Sequence, residues 1–261
     1  MNWRSITKEF QALLYPLGFD LVKAFPVQRY NTSLPPTVSA HLPTFGRSKS
    51  TLAVVIGNTR HFWPIFINYL VSSKDICIDN HPVDTYSTRC IEKVVENIIG
   101  AKNIKYELRY TYDKDERFVA FQRLAHEAHL AYYNQILCLH QDYGPWIALR
   151  GVVIIDIDGP PLQDINDPPL THPFPQGDEQ LKSMLDDILK TYGTYGKGTH
   201  QGFSRQTHDY VKWVEMRDYA ATFVGGKSCP YRYSQEQLDY HYTKDKTKLR
   251  NAIEAARSVM N

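Results

Sequence analysis

The chain has 261 residues, of which 43% are hydrophobic and 22% are charged, as in an ordinary globular protein. This length allows one large domain or two small ones, with a core that needs no disulfide or metal to stabilise it. The formal net charge of +2 argues against nucleic acid or an anionic membrane as a partner, since both favour a basic excess.

The first predicted elements are a helix and a strand. Apolar residues recur at helical spacing and stop before Pro16, namely Trp3, Ile6, Phe10, Leu13 and Leu14. Residues 19–27 are predicted to form a strand. Residues 31–50 are rich in Pro, Ser and Thr, which predicts a loop.

A buried strand and a long helix are predicted next. Residues 51–56 are mostly aliphatic, which is typical of a buried strand, and Thr59 is predicted to cap a short helix after it. Asp84 is predicted to cap a further helix that Gly100 ends. The apolar face of that helix consists of Ile91, Val94, Val95, Ile98 and Ile99.

The middle of the chain predicts further strands. Residues 104–112 alternate between apolar and polar side chains, which predicts a strand, whereas residues 118–133 are compatible with strand or helix. Residues 136–140 and 146–157 are interpreted as strands joined by residues 141–145. Strands interleaved with helices predict an α+β or α/β fold.

Residues 158–177 are predicted to form a long loop, because regular structure does not cross their many prolines. We interpret this loop as a connection within one domain, residues 1–261, since too few elements follow it to form a second sheet-containing unit. A helical stripe is predicted from Leu181 to Leu189, ending at Gly193, and another helix at about residues 207–223. Ser234 and Gln237 form a capping box, with Tyr233 and Leu238 as its hydrophobic staple, at the start of a C-terminal helix.

Cysteine usage predicts a cytoplasmic protein. Cys77, Cys90, Cys138 and Cys229 are widely spaced and include no CxxC pair, which favours reduced thiols. The first residues lack the apolar run of a signal peptide, and no apolar stretch is long enough to span a membrane.

Well-known catalytic motifs are absent. The sequence contains no Walker A, GxSxG or HExxH motif, and the glycines of residues 193–198 do not follow a strand, which weakens a dinucleotide-binding interpretation. Residues 79–84 approach the B12-binding motif DxHxxG but end in Asp84. His126 and His129 lie one helical turn apart without a convincing third ligand, so we predict no metal site.

Two arginines and the aromatic content leave alternatives open. Arg150 lies in an otherwise apolar strand and requires either an internal ion pair or a bound carboxylate. Arg217 is more typical of a helix-surface residue that pairs with a near neighbour. Cys138 lies in an apolar run, and a buried cysteine there usually acts as a small apolar residue. The aromatic residues make up 13% of the chain and indicate either an aromatic core or a pocket for a large flat ligand.

Several strings, taken in order, resemble the methylmalonic aciduria and homocystinuria type C (CblC) family. They cover about residues 10–245, and their ordered co-occurrence carries the resemblance. The strings are Arg29-Tyr-Asn-Thr-Ser-Leu-Pro-Pro36, His81-Pro-Val-Asp84, residues 125–135, residues 144–153, Trp213-Val-Glu-Met-Arg217-Asp218 and Arg232-Tyr-Ser-Gln-Glu-Gln237.

The resemblance implies a flavin nitroreductase-like α+β fold with a central, mostly antiparallel sheet flanked by helices. It implies a cavity for cobalamin (vitamin B12) in the base-off form, with the dimethylbenzimidazole detached from cobalt. The implied reactions are glutathione-dependent dealkylation of alkylcobalamins and reductive decyanation of cyanocobalamin, the latter with FMN or FAD and NADPH as possible electron sources. The implied partners are a downstream cobalamin-trafficking protein and the methionine synthase pathway. The alternatives are an FMN-dependent nitroreductase-like oxidoreductase and a non-catalytic cobalamin chaperone.

The resemblance also implies site residues. Arg150 and Arg217 match arginines that hold glutathione, His126 matches a pocket histidine, and a third basic residue falls on Lys248 or Arg250. The hairpin after Gln135 is shorter than in vertebrate members. The positions that match cobalamin contacts are Arg109, Val119, Ala120, Phe121, Gln122, Tyr133, Asn134, Gln135, Cys138 and Leu149.

Overall fold

The computed structural model describes residues 2–35, 40–73, 80–163, 167–192, 210–225 and 229–260. The strands in these ranges are β1 (Leu21–Pro26), β2 (Leu52–Asn58), β3 (Tyr106–Tyr110), β4 (Tyr132–Tyr133), β5 (Cys138–Leu139) and β6 (Ala148–Ile155). The helices are α1 (Trp3–Leu14), α2 (Val27–Ser33), α3 (Phe62–Ser72), α4 (Pro82–Ile98), α5 (Phe121–Glu127), α6 (Asp178–Tyr192), α7 (Val211–Gly225), α8 (Gln235–Thr243) and α9 (Lys246–Met260). Short 3-10 turns occupy Tyr15–Leu17, Gly100–Lys102, Asp115–Arg117 and Pro175–Gly177.

A four-stranded sheet in the order β1-β2-β6-β3 forms the centre of the fold, and each neighbouring pair is antiparallel. The strands β4 and β5 form a separate two-stranded hairpin. An α+β architecture with an antiparallel sheet flanked by helices is therefore confirmed.

Helices cover both faces of the central strands. Every residue of β2 is buried, as is β6 from Gly151 onward, which accounts for their nearly continuous aliphatic sequences. One face packs against α1, α3, α4 and α9, and the other packs against α2 and α5. No helix within the described ranges is both long and apolar enough to cross a membrane.

The helix predicted from Asp84 begins two residues earlier. Pro82 occupies the first turn, where its missing N–H costs nothing, and His81 precedes it in the left-handed region with φ of 45°. Asp84 lies in the first turn instead of at the cap. The predicted apolar face is confirmed, since all five of its residues are buried.

The predicted strand of residues 19–27 contains β1, and two other predictions in this part of the chain were wrong. The helix α2 was not predicted and covers residues 31–33 of the predicted loop, because its seven residues are too few to show a helical period. Thr59 does not cap α3, because the helix begins only at Phe62; its hydroxyl donates to Asp20 Oδ2 at 2.5 Å and accepts the His61 N–H at 3.3 Å, ahead of the helix.

The second half of the chain largely follows the prediction. Among the described residues of 158–177, only the turn at Pro175–Gly177 is regular, and α6 contains the predicted Leu181–Leu189 stripe. Ser234 caps α8 by accepting the Gln237 N–H at 3.2 Å, and Tyr233 and Leu238 share one buried cluster. The C-terminal segment forms two helices because Lys244 adopts φ of 54° between them. The glycines of residues 193–198 and Asp79, the first residue of the DxHxxG-like string, lie outside the described residues.

Candidate functional site

Two predicted site residues, Arg150 on β6 and Arg217 on α7, lie beside the same buried tyrosine. The Arg217 guanidinium is 5.4 Å from the Tyr233 ring centre. Burial raises the pKa of Tyr233, and the positive charges of both arginines act to lower it. The fold thus brings together two cations that are far apart in sequence.

A β-bulge determines where the Arg150 side chain points. The register changes from Ile56 opposite Gly151 to Gly57 opposite Leu149, so Arg150 is the extra residue of β6. A bulge of this kind bends the strand and redirects a side chain. Gly57 permits the close approach of the strands, since a Cβ there would lie 2.7 Å from the Ala148 carbonyl oxygen.

Arg150 has few partners for a half-buried guanidinium. Its Nε donates to Asn58 Oδ1 at 2.7 Å, and its Cζ lies 5.0 Å from the Phe62 ring centre. No carboxylate in the described part of the chain forms an ion pair with it, so the internal ion-pair interpretation was wrong there. Burial lowers the pKa of Arg150. Both Nη groups remain without a hydrogen-bond partner among the described residues and can bind an anion.

Arg217 is held by the protein itself. Its Nη2 donates to the carbonyl oxygens of Pro145 and Ile147 at 2.6 and 3.2 Å, and the guanidinium lies 4.7 Å from the Trp146 ring centre. Burial acts to lower the pKa of Arg217, but neighbouring tyrosine hydroxyls outweigh it and the pKa is raised. The interpretation of Arg217 as a surface residue was wrong, because the side chain packs inward on the segment before β6.

Two further buried polar groups near the arginines lack partners. The Trp146 Nε1 has no hydrogen-bond partner among the described residues, and the Tyr233 hydroxyl, buried beside Arg217, has none of ordinary geometry there. An unpaired buried polar group costs about 1–3 kcal/mol. Of the polar groups described here, the Arg150 Nη groups are the donors of the kind that binds a carboxylate with two hydrogen bonds.

His241 on α8 contributes a neutral imidazole to the same surroundings. Its ring lies 4.9 Å from the ring of Tyr242 and 6.0 Å from that of Tyr233. Burial, with the nearby charges of Lys244, Arg217 and Arg150, holds the pKa of His241 well below its usual value. The histidine therefore adds no third positive charge beside the arginines at neutral pH.

We expect the free energy of unfolding to fall as the pH drops below about 6.5, the ordinary histidine pKa. The unfolded chain takes up a proton on His241 there and the folded chain does not, which costs up to about 1.4 kcal/mol per pH unit. Urea unfolding of the wild type and of His241→Gln at several pH values between 5 and 8 checks this. The wild type should lose stability more steeply toward acid, and equal slopes would contradict the assignment.

A second group of predicted residues, the predicted cobalamin contacts, lies around the segment that leads into α5. Val119 and Phe121 are buried, whereas Ala120, Cys138 and Leu149 are partly exposed and pack on the same cluster. Gln122 is exposed on α5, and its carbonyl oxygen is 3.7 Å from the Cys138 Sγ. Most predicted cobalamin positions therefore share one surface.

Asn134 shapes the hairpin between β4 and β5. Its Oδ1 accepts the N–H groups of Ile136 and Leu137 at 3.1 and 2.8 Å, and its Nδ2 donates to Asp178 Oδ1 at 2.9 Å. The turn places Gln135 at φ of 71°. The Asn134 side chain is thus occupied in building the turn, and Gln135 is exposed at its tip.

His126 joins α5 to this hairpin. Its Nδ1 accepts the Tyr133 N–H at 3.2 Å, so the neutral ring carries its proton on Nε2. A concave surface of about 630 Å³ lies here, lined by Arg123, His126, Glu127, Tyr133 and Gln135. A hollow of about 830 Å³ between α1 and α4 contains none of the predicted site residues.

The remaining predicted basic residues have protein partners. The buried Arg109 forms an ion pair with Glu107 at 2.6 Å and donates to the His41 carbonyl oxygen at 3.1 Å. Burial raises the pKa of the nearby Tyr30, and the charge of Arg109 acts to lower it. The Tyr30 hydroxyl accepts the Ala120 N–H at 3.0 Å. Arg109 is therefore held by protein partners, close to the tyrosine that contacts the start of α5. Lys248 pairs with Asp239 at 3.5 Å, and Arg250 is exposed on the same helix.

We expect Cys138 to be unreactive in the native protein. Burial raises the pKa of its thiol to about 12, although the charge of Arg217 acts to lower it. Almost no thiolate exists at pH 8, and the thiolate is the nucleophile. Mass spectrometry after iodoacetamide treatment should find Cys138 unmodified in the folded protein and modified after denaturation. Rapid labelling of the native protein would contradict the raised pKa.

No protein-family model matches the chain. The chain is 24% identical over 261 residues to a curated protein of Gallus gallus named cyanocobalamin reductase / alkylcobalamin dealkylase, with 94% of each chain covered. Homo sapiens has a protein of the same name that is 27% identical, and the match covers 58% of this chain and 56% of that one. A crystal structure described as a C. elegans B12-trafficking protein CblC has a TM-score of 0.67 at 18% identity, covers 96% of each chain and shows a shared fold. The resemblance predicted from the ordered strings is confirmed.

Proposed function

We propose that this chain processes cobalamin, as the names of its relatives state for them, by removing the upper axial ligand. The observation that carries the proposal is the similarity to a cyanocobalamin reductase / alkylcobalamin dealkylase across 94% of both chains. The geometry is compatible with this proposal. The fold contains a partly exposed apolar surface at the start of α5 and an arginine, Arg150, with few hydrogen-bond partners among the described residues. We also propose that the chain forms a single domain of the flavin nitroreductase type.

The proposed cobalamin site is the surface formed by the start of α5, the β4–β5 hairpin and Leu149. A corrin is a broad, mostly apolar disc with an amide rim, and this surface pairs apolar side chains with exposed amides. Phe121, Cys138 and Leu149 supply apolar contact. Gln122 and Gln135, both exposed, suit the amide rim.

Glutathione is the proposed cosubstrate, and Arg150 its proposed anchor. Glutathione carries two carboxylates, and a guanidinium binds a carboxylate through two parallel hydrogen bonds. Among the described residues nothing occupies the Nη groups of Arg150, which leaves them for this purpose. Arg217 adds positive charge nearby, which favours the thiolate over the thiol.

In the proposed dealkylation, the thiolate sulfur attacks the alkyl carbon bonded to cobalt. A C–S bond forms, the Co–C bond breaks with both electrons left on cobalt, and the thiol proton goes to solvent. The products are a thioether and cob(I)alamin. The protein positions the sulfur in line with the Co–C bond, and the cobalt supplies the leaving group.

Cyanocobalamin requires a different step, since cyanide leaves when cobalt is reduced. We propose that glutathione, or a reduced flavin with NADPH, provides the electrons. The protein is proposed to act in the cytoplasm and to pass its product to a trafficking protein that serves methionine synthase.

The test mixes the purified protein with methylcobalamin and glutathione without oxygen. Base-off absorption on binding, followed by loss of the alkyl spectrum and formation of S-methylglutathione, is expected. Base-off binding without dealkylation would identify a chaperone instead. Bound yellow FMN and an unchanged cobalamin spectrum would identify a flavin-dependent reductase and overturn the proposal.

A further inference from the structure

We infer that Asn58 is a positioning residue for Arg150, holding the guanidinium so that its two Nη groups meet a carboxylate of the cosubstrate. The inference rests on the proposed use of glutathione. It concerns a residue that lies on a different strand from Arg150 and carries no charge.

The Asn58 side chain is fixed in one orientation. It is fully buried at the end of β2, with Oδ1 accepting from Arg150 Nε and Nδ2 donating to the Thr59 carbonyl oxygen at 2.8 Å. A flipped amide would place its NH₂ against the Arg150 N–H and its oxygen against a carbonyl oxygen. Both ends of the amide therefore determine that the oxygen faces Arg150.

The contact with Asn58 determines which N–H groups of the guanidinium remain available for a ligand. With Nε engaged by Asn58 and Cζ 5.0 Å from the Phe62 ring centre, the two Nη groups are the part of the guanidinium left without a hydrogen bond to the described residues. The Nη pair is one of the edges that binds a carboxylate with two hydrogen bonds. The bulge places Arg150 as the extra residue next to this strand end, where Asn58 can reach it.

The neutrality of Asn58 matters as much as its shape. A carboxylate at the same place would form a partly buried ion pair with Arg150 and would repel an incoming carboxylate. The amide oxygen orients the guanidinium and leaves its charge for the ligand. Since no described carboxylate pairs with Arg150, Asn58→Asp would introduce the first such partner in that part of the structure.

The experiment measures glutathione KM, kcat and cobalamin binding for Asn58→Asp. We expect the KM for glutathione to rise about 10- to 100-fold, as loss of a charged hydrogen-bonded pair gives, with base-off cobalamin binding unchanged. Asn31→Asp is the matched control. Asn31 likewise uses both ends of its amide, but bonds the backbone N–H and C=O of Leu42 at 2.9 and 2.8 Å and no arginine among the described residues.

A double-mutant cycle separates positioning from general damage. If Asn58 acts through Arg150, then Asn58→Asp adds little to the KM of Arg150→Gln. Additive effects, or a KM as little changed as in the Asn31→Asp control, overturn the inference while the proposed function stands. A wild-type protein that binds cobalamin base-off but does not respond to glutathione overturns the proposed cosubstrate, and the inference with it.

Discussion

Replacing Arg150 with glutamine is expected to weaken glutathione-dependent dealkylation by about one to two orders of magnitude in kcat/KM. Glutamine removes the charge and the Nη fork, and the bulge and Asn58 remain. Because the Nη groups donate no hydrogen bond to the described residues, their loss breaks no hydrogen bond within that part of the protein. The effect should therefore fall on the cosubstrate, with cobalamin binding less affected.

The measurement is the initial rate of methylcobalamin loss at subsaturating glutathione under anaerobic conditions. Arg47→Gln is a suitable control, since Arg47 pairs with Asp156 at 2.8 Å just beyond the other end of β6. Both substitutions remove one positive charge beside β6, at opposite ends of the strand. Equal activity of the Arg150 variant and wild type would reject Arg150 as the anchor, and a parallel loss in both variants would indicate a general charge effect.

Local signals in the sequence predicted much of the fold. The aliphatic run of residues 51–56 predicted a strand that is buried along its whole length, and Ser234 predicted a cap that the structure contains. These signals depend on residues close together in the chain, so periodicity and capping chemistry reveal them. The helix α2 escaped prediction because it has only two helical turns, starts after a proline and lacks a side-chain cap.

The arrangement of the candidate site depends on contacts that no local pattern encodes. The bulge at Arg150 requires the register between β2 and β6, and Asn58 becomes its partner only through that register. The sequence indicated that Arg150 needs a hydrogen-bond acceptor, but it did not indicate that this acceptor would be the uncharged amide of Asn58. His241 was missed for a similar reason, since its neutrality results from burial near arginines of two other elements.

Arg217 differs from Arg150, and its replacement with alanine is expected to reduce stability. The change leaves the carbonyl oxygens of Pro145 and Ile147 without this donor and removes the cation from the buried Trp146 ring. Charged hydrogen bonds contribute about 1.5–3 kcal/mol each, so a loss of about 3 kcal/mol is expected. For a domain near this size, the melting temperature should then fall by roughly 6–12 °C.

Thermal unfolding of four proteins tests this division of roles: wild type, Arg217→Ala, Arg150→Gln and Arg232→Gln. Arg232 is the control, because its Cζ also lies near the Trp146 ring, 5.6 Å from the ring centre. Its ion pair with Asp218 at 2.7 Å is more than one-third exposed on both partners and should contribute only about 0–1 kcal/mol. The Arg217 variant alone should show the large decrease. If it melts like the wild type while losing its response to glutathione, then the carbonyl contacts are incidental and Arg217 binds the ligand directly. If it melts early but keeps that response when folded, then the positive charge that the cosubstrate requires is that of Arg150.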